Sequence, residues 1–403
     1  MEPHQPTIRL PETAFLNALQ RSGLIPLPIL GRAFANFSFK QLLTLEPLHL
    51  ATHLVRLKLL TKYQAMQLLN GRSGGFLLGR YKILEGIRQD RVGIVFLAEE
   101  IDSHQKVSVK VIPSNRVSES EAFTTFLNEV KTAAGIHHSS IAQILDLGML
   151  SGTYYVVSEL VEAPTLDDLL IREGTLSVNQ SVEIAGQVAL GLAQAHAVGL
   201  LHRDIKPQNI AIYPNHRTKL LDLGLTNLLD DPWQQNTKRI NLEEYALEIA
   251  HIPPEQTAMV DMDARSDLYS LGSTLYSALT GQAAFPGLAL QSMAARQTSD
   301  IPAPSKVRPE LPPFIDKLIG KLGAVDPNAR FNSAMDVVSF VYPHLPAAHW
   351  RSLGVSLPRA ETRPLSPKLA NSKPPQEKPC NELPANRTLF SSIRKLFARS
   401  HAE

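Results

Sequence analysis

Asp204, Lys206 and Asn209 put a carboxylate, an ammonium and a carboxamide at short fixed offsets in one stretch, Leu201-His202-Arg203-Asp204-Ile205-Lys206-Pro207-Gln208-Asn209. That set suits phosphoryl transfer. A carboxylate can orient an attacking hydroxyl and accept its proton, an ammonium can neutralise charge on the moving phosphoryl, and a carboxamide oxygen is a hard ligand for Mg2+. Taken singly, each residue reads as an ordinary turn or surface group. The ordered set does not.

The run resembles the HRDxKxxN catalytic loop of protein kinases, and further motifs follow in the order that family requires. Lys110 lies in the strand-like VSVKVI at the position of the VAIK lysine, and Glu129 follows in FLNEV on a predicted helix. Asp222-Leu223-Gly224 stands where DFG is expected, Pro253-Pro254-Glu255 where APE is, Asp267 in DARSDLYSLGSTLYSALTG, and Arg330 in DPNARF. Residues 81–343 therefore resemble a eukaryotic-like serine/threonine protein kinase. The preceding TKYQAMQLLNGRSGG resembles the helical leader of planctomycete-type bacterial kinases.

The resemblance implies an α+β, bilobal fold with a small β-rich lobe, a large helical lobe, and ATP with Mg2+ between them. It implies transfer of the γ-phosphoryl group to a serine or threonine of a protein substrate. Asp204 and Lys206 then carry the chemistry, Asn209 and Asp222 hold the metal, and Glu129 steers Lys110 toward the α and β phosphates. Glu159 to Val161 form the hinge whose backbone binds adenine, with Ser158 at the back of that pocket and Ser108 leaving its face open. Asp267 braces the catalytic loop, and Glu255 pairs with Arg330.

Two departures matter. Aligned on Gly93 and Val95, the GxGxxG phosphate loop keeps only its third glycine, with Arg88 and Asp90 at the other two positions. Asp90 brings negative charge toward phosphates, and Arg88 can partly compensate. Counting back from Glu255, Glu248 replaces the usual substrate-positioning threonine. These changes support an alternative, a pseudokinase or scaffold that uses the fold for regulated binding; the retained Asp204 and Asp222, which nothing nearby replaces, favour an enzyme. Arg203, beside the base, needs an anion: phosphorylated Thr237 is one candidate, and Glu243, Glu244 or Glu248 is the other.

Residues 1–75 read as a helical leader with no catalytic cluster. Capping-box spacing at Ser38/Gln41 and Thr61/Gln64 marks helix starts, and Phe15, Leu16 and Leu19 share a face. The leader packs on its neighbour or on another protein. From Tyr81 the pattern alternates, predicting a hairpin, and SVNQSVEIAGQVALGLAQAHAVG predicts a long helix stopped at Gly199. Residues 344–385 are a Pro-rich linker that cannot bury enough apolar surface to fold. In 386–403, Leu389, Ile393, Leu396 and Phe397 share one face of a basic amphipathic helix that suits an anionic membrane or a partner.

Residues 344–403 hold ten Lys/Arg against four Asp/Glu, so the chain's +2 net charge leaves the remainder slightly acidic and gives no global field for nucleic acid. The lone Cys380 rules out internal disulfides. With no secretory pattern at the start and no long apolar run, a cytoplasmic protein is expected, with the tail as its route to a membrane surface.

Overall fold

The computed structural model describes residues 13–90, 93–112, 121–225, 249–346 and 350. Thr237, Glu243, Glu244, Glu248, Cys380 and the tail helix 386–403 lie outside them.

Five short helices come first: α1 (Ala14–Ser22), α2 (Leu27–Ala33), α3 (Phe39–Thr44), α4 (Pro47–Arg56) and α5 (Lys62–Leu69). Local chemistry sets their ends. The Thr13 hydroxyl accepts the Leu16 N–H, Gly23 closes α1 at φ 66°, and both expected capping boxes form at the starts of α3 and α5. Phe15, Leu16, Leu19, Leu30, Leu50 and Leu54 bury together in a core of the leader's own.

The small lobe is a six-stranded antiparallel sheet in the order β1-β2-β3-β4-β6-β5, from β1 (Leu77–Leu78), β2 (Tyr81–Gln89), β3 (Ile94–Glu100), β4 (Lys106–Ile112), β5 (Ile144–Leu150) and β6 (Thr153–Glu159). Alternation along KVSVKVI assigns its two faces. Val107 and Val109 pack with Ala98, Tyr155 and Val157 on one face. Ser108, Lys110 and Ile112 point the other way, and Ile112 buries with Phe126 and Val130 of α6 (Glu121–Ala134).

The leader docks on the first of these faces. The β2–β3 register slips between Ile83 and Glu85, and the carbonyls of Ile83 and Leu84 turn to α5: buried Gln64 donates to Ile83 at 2.5 Å and the Thr61 hydroxyl to Leu84 at 2.6 Å. Tyr63 lies against Phe96 with ring centroids 6.1 Å apart.

The large lobe contains α7 (Leu166–Glu173), α8 (Val178–Ala197), the two-stranded β7 (Ile210–Ile212) and β8 (Thr218–Leu220), and the helices Pro254–Ala258, Ala264–Thr280, Ala289–Thr298, Pro313–Leu322 and Ala334–Val341. Its core continues past the boundary expected at residue 343. Leu345 and Trp350 bury in it, the Trp350 indole N–H donates to the Tyr342 carbonyl at 3.0 Å, and a Cβ at Gly186 of α8 would meet the indole at 2.4 Å. Among the described residues no helix is long and apolar enough to cross a membrane.

A buried arginine fastens the segment entering the helix Pro254–Ala258. Fully buried Arg296 donates to the carbonyls of Ile249 at 2.6 Å and Ala250 at 3.1 Å. Next to it His251 meets the Ser273 hydroxyl at 3.3 Å. Burial pulls the His251 imidazole down to about 3, helped by the charges of Arg296 and Lys206 and opposed by Asp204.

Two outcomes follow from this packing. Gln64→Ala strips a buried carbonyl of its donor and should cost about 1–3 kcal/mol in urea unfolding, while Met66→Ala at an exposed position leaves stability within about 0.5 kcal/mol. Because the folded His251 binds fewer protons than the unfolded one, its contribution is complete above its ordinary value of 6.5 and falls as pH drops toward 3. His251→Asn should flatten that acid-side slope, which reaches at most about 1.4 kcal/mol per pH unit for one proton; equal slopes in both proteins would refute the assignment.

Candidate active site

The catalytic stretch is positioned from below by one carboxylate. Asp267, 1% exposed on the helix Ala264–Thr280, accepts the backbone N–H of His202 at 2.9 Å and of Arg203 at 2.8 Å, and bonds His196 Nε2 at 2.8 Å. Burial alone would push its carboxyl up, but the His196 contact and the neighbouring histidine and amide hold it below the usual range. With the two amides fixed, Arg203 adopts a left-handed backbone at φ 63°, rare for a residue with a side chain. The turn delivers Asp204 to the cleft.

Around Asp204 the predicted set assembles. Lys206 Nζ lies 2.8 Å from Asp204 Oδ2. Asn209 Nδ2 donates to the Asp204 carbonyl at 2.8 Å and to Oδ2 at 2.9 Å, which turns its own Oδ1 outward. The base, the cation and one metal-type oxygen thus share a hydrogen-bonded cluster.

Asp222, also left-handed at φ 62°, brings the second metal-type donor. Leu223 after it buries against α6 in the small-lobe core, so the leucine of Asp-Leu-Gly serves as an apolar anchor. Arg88 reaches into this position from β2. Its guanidinium donates to Asp222 Oδ2 at 2.5 Å, to Asn209 Oδ1 at 3.1 Å and to the Gln208 carbonyl at 3.0 Å.

Lys110 Nζ donates to Asp90 Oδ2 at 2.7 Å and to Asp222 Oδ2 at 3.1 Å. Burial would lower the lysine, but the charges of Asp222 and Asp90 outweigh it and hold the ammonium protonated. Burial would likewise raise Asp222, yet Lys110 and Arg88 hold it well below the carboxylate range.

The structure corrects two expected pairings. Glu129 does not hold Lys110: its carboxylate takes both oxygens to Arg203 NH1, at 3.0 and 2.9 Å, while Asp90 stands against the lysine. Arg203 therefore has an anion that is neither phosphorylated Thr237 nor an acidic residue of segment 243–248. The physical reason is reach: α6 lies beside the catalytic stretch, and the two half-buried side chains find each other across the cleft wall.

Gly93 has a packing role. The Asp90 amide donates to the Gly93 carbonyl at 2.9 Å, the Gly93 amide to Asp90 Oδ1 at 3.0 Å, and a Cβ at Gly93 would stand 2.0 Å from the Val111 carbonyl. Any side chain there would force β3 off β4. Val95, buried, pairs in register with Lys110 across those strands.

At the hinge, Glu159 exchanges backbone and side-chain contacts with Gln143 and its carboxylate pairs with Lys219, so its role is to join the lobes' backbones. Val161 keeps its backbone N–H and C=O unbonded among the described residues, and Ser108 and Ser158 face each other on β4 and β6. That leaves small side chains and open backbone groups where a flat heterocycle would lie.

The donor set fits Mg2+ in its chemistry: a carboxylate and a carboxamide oxygen, both hard ligands, face the same guanidinium. Arg88 holds both oxygens in this structure. Sequence reasoning identified the donors and missed the occupant, although the loss of glycine at 88 was the available signal.

The chain is similar to known proteins over this same region. The model of the protein kinase domain family matches residues 81–342. Serine/threonine-protein kinase PrkC of Bacillus subtilis is 30% identical over 260 residues, 64% of this chain and 39% of that protein. Serine/threonine-protein kinase PknA of Mycobacterium tuberculosis is 34% identical over 268 residues, 65% of this chain and 60% of that protein. The chain thus spans less than two thirds of the length of these relatives. The crystal structure of the Mycobacterium tuberculosis PknI kinase domain superposes with a TM-score of 0.53 at 22% identity, covering 67% of this chain and 98% of that one. With the family match spanning the lobes and the cleft just described, the chain belongs to the protein kinase family.

Proposed function

We propose that the protein is a serine/threonine protein kinase that transfers the γ-phosphoryl group of ATP to a protein hydroxyl. One observation carries this reading: Asp204, Lys206, Asn209, Asp222 and Lys110, drawn from both lobes, join a single network of hydrogen bonds and ion pairs in the cleft. Asp204 accepts the proton of the attacking hydroxyl. Lys206, beside it, offsets the charge that develops on the phosphoryl group. Lys110, once Asp90 withdraws, is placed to engage the α and β phosphates. For turnover, Asn209 and Asp222 would hold Mg2+ once Arg88 is displaced from them, and the ion would neutralise phosphate charge.

The second reading, a pseudokinase that binds without turnover, is favoured by a different observation: Asp90 and Arg88 already hold the lysine and both metal-type donors. The similarity to two proteins named serine/threonine-protein kinases supports the first. Incubation of the full chain with labelled ATP, Mg2+ and a generic basic protein decides between them. Labelled substrate is expected, and Asp204→Ala should lower its rate about 10²–10⁴-fold with an unchanged melting temperature. Undiminished turnover in that variant would remove Asp204 from the mechanism, and no label from the parent chain would leave only the binding module.

A further inference from the structure

We propose that Arg88 is a resident counter-cation at the metal position, so that this cleft binds a nucleoside di- or triphosphate without a divalent ion. The inference rests on the reading of the cleft as a nucleotide site. It concerns which cation that nucleotide meets.

The geometry is that of a ligand held by its intended donors. The Arg88 guanidinium bonds Asp222 Oδ2, Asn209 Oδ1 and the Gln208 carbonyl together, three oxygens from two separate loops of the large lobe. Its side chain is 24% exposed, so most of it is withdrawn from water although its strand belongs to the other lobe. A planar fork of five donors can satisfy several oxygens at once, which a metal ion does by coordination.

The neighbouring residue completes the pattern. Asp90 Oδ2 lies 2.7 Å from Lys110 Nζ, where an anion is to be received. Arg88 and Asp90 lie two residues apart on one hairpin, so the turn carries a cation and an anion that fill the two halves of the site together. Among the described residues of this network Lys110, Arg88 and Lys206 face Asp90, Asp222 and Asp204, three charges of each sign.

An incoming polyphosphate displaces the anion first, because like charges repel and Lys110 is its natural partner. Asp90 can turn its carboxylate away from the lysine, giving up the Oδ1 contact to the Gly93 amide as well, while the bond from its own amide to the Gly93 carbonyl keeps the turn closed. Once Asp90 leaves, the network carries an excess positive charge that the phosphates neutralise. Arg88 remains on Asp222 and Asn209 and screens those oxygens from the phosphates, the electrostatic task of a metal at this place. A divalent ion would have to evict it.

Equilibrium binding of a fluorescent ribose-labelled ADP to the full chain, in EDTA and in Mg2+, tests this. The expected result is an affinity in EDTA within about fivefold of that in Mg2+, while Arg88→Gln binds at least about tenfold more weakly than the parent in EDTA, the usual scale for a lost charge-assisted contact. Arg88→Lys, which keeps the cation, should recover part of that loss, and melting temperatures control for folding. A larger loss in the parent chain when Mg2+ is removed, or equal affinities of the parent and Arg88→Gln in EDTA, overturns the proposal while leaving the nucleotide reading intact. Absence of binding in both buffers overturns the two together.

Discussion

The buried carboxylate of Asp267 is the constraint on which the active site depends. A charge at 1% exposure is tolerated only where donors surround it, and here the donors are two consecutive backbone amides and a histidine. Because those amides must converge on one carboxylate, the backbone is bent into the left-handed turn at Arg203, and from that turn both functional side chains diverge. Asp204 goes to the cleft, and Arg203 goes to Glu129 on the small-lobe helix. One interaction thereby sets the chemistry and also ties α6 to the loop that performs it.

The small lobe answers with a hairpin that is closed at its tip and charged on its inner side. Its outer face belongs to the leader, where Gln64 and Thr61 take the carbonyls released at a register slip in β2. Near its end the same strand carries Arg88, whose charge crosses to the large lobe. β2 is therefore fastened at both ends, to the leader on one side and to Asn209 and Asp222 on the other.

What was legible in the sequence was local or contiguous. The capping boxes at Ser38 and Thr61 involve residues three apart, and the Asp204, Lys206 and Asn209 set lies within one loop, so spacing alone identifies both. The Asp-Leu-Gly and Pro-Pro-Glu motifs follow in a fixed order, and the bilobal architecture came with them. What was not legible was partner choice across the fold. Arg88 finds Asp222 from 134 positions away and Arg203 finds Glu129 from 74, and several carboxylates near each cation satisfied the same charge rule. A packing role of Gly93 was not legible for a related reason: its need for a missing Cβ comes from Val111 on the next strand, which only the sheet register reveals.

Trp350 changes where the catalytic unit ends. Its indole fills a groove that exists because Gly186 has no side chain, and it stacks on Tyr342 with centroids 5.3 Å apart. The matched family region stops at residue 342, short of this contact. A protein truncated there would keep every motif and lose the largest side chain of its lower core, leaving an indole-sized void along α8 at a cost of about 3–5 kcal/mol. The void would open at Gly186 and Tyr342, the former on the same helix that leads into the loop carrying Asp204. For this chain the described core reaches at least to a single aromatic ring beyond the last recognisable motif.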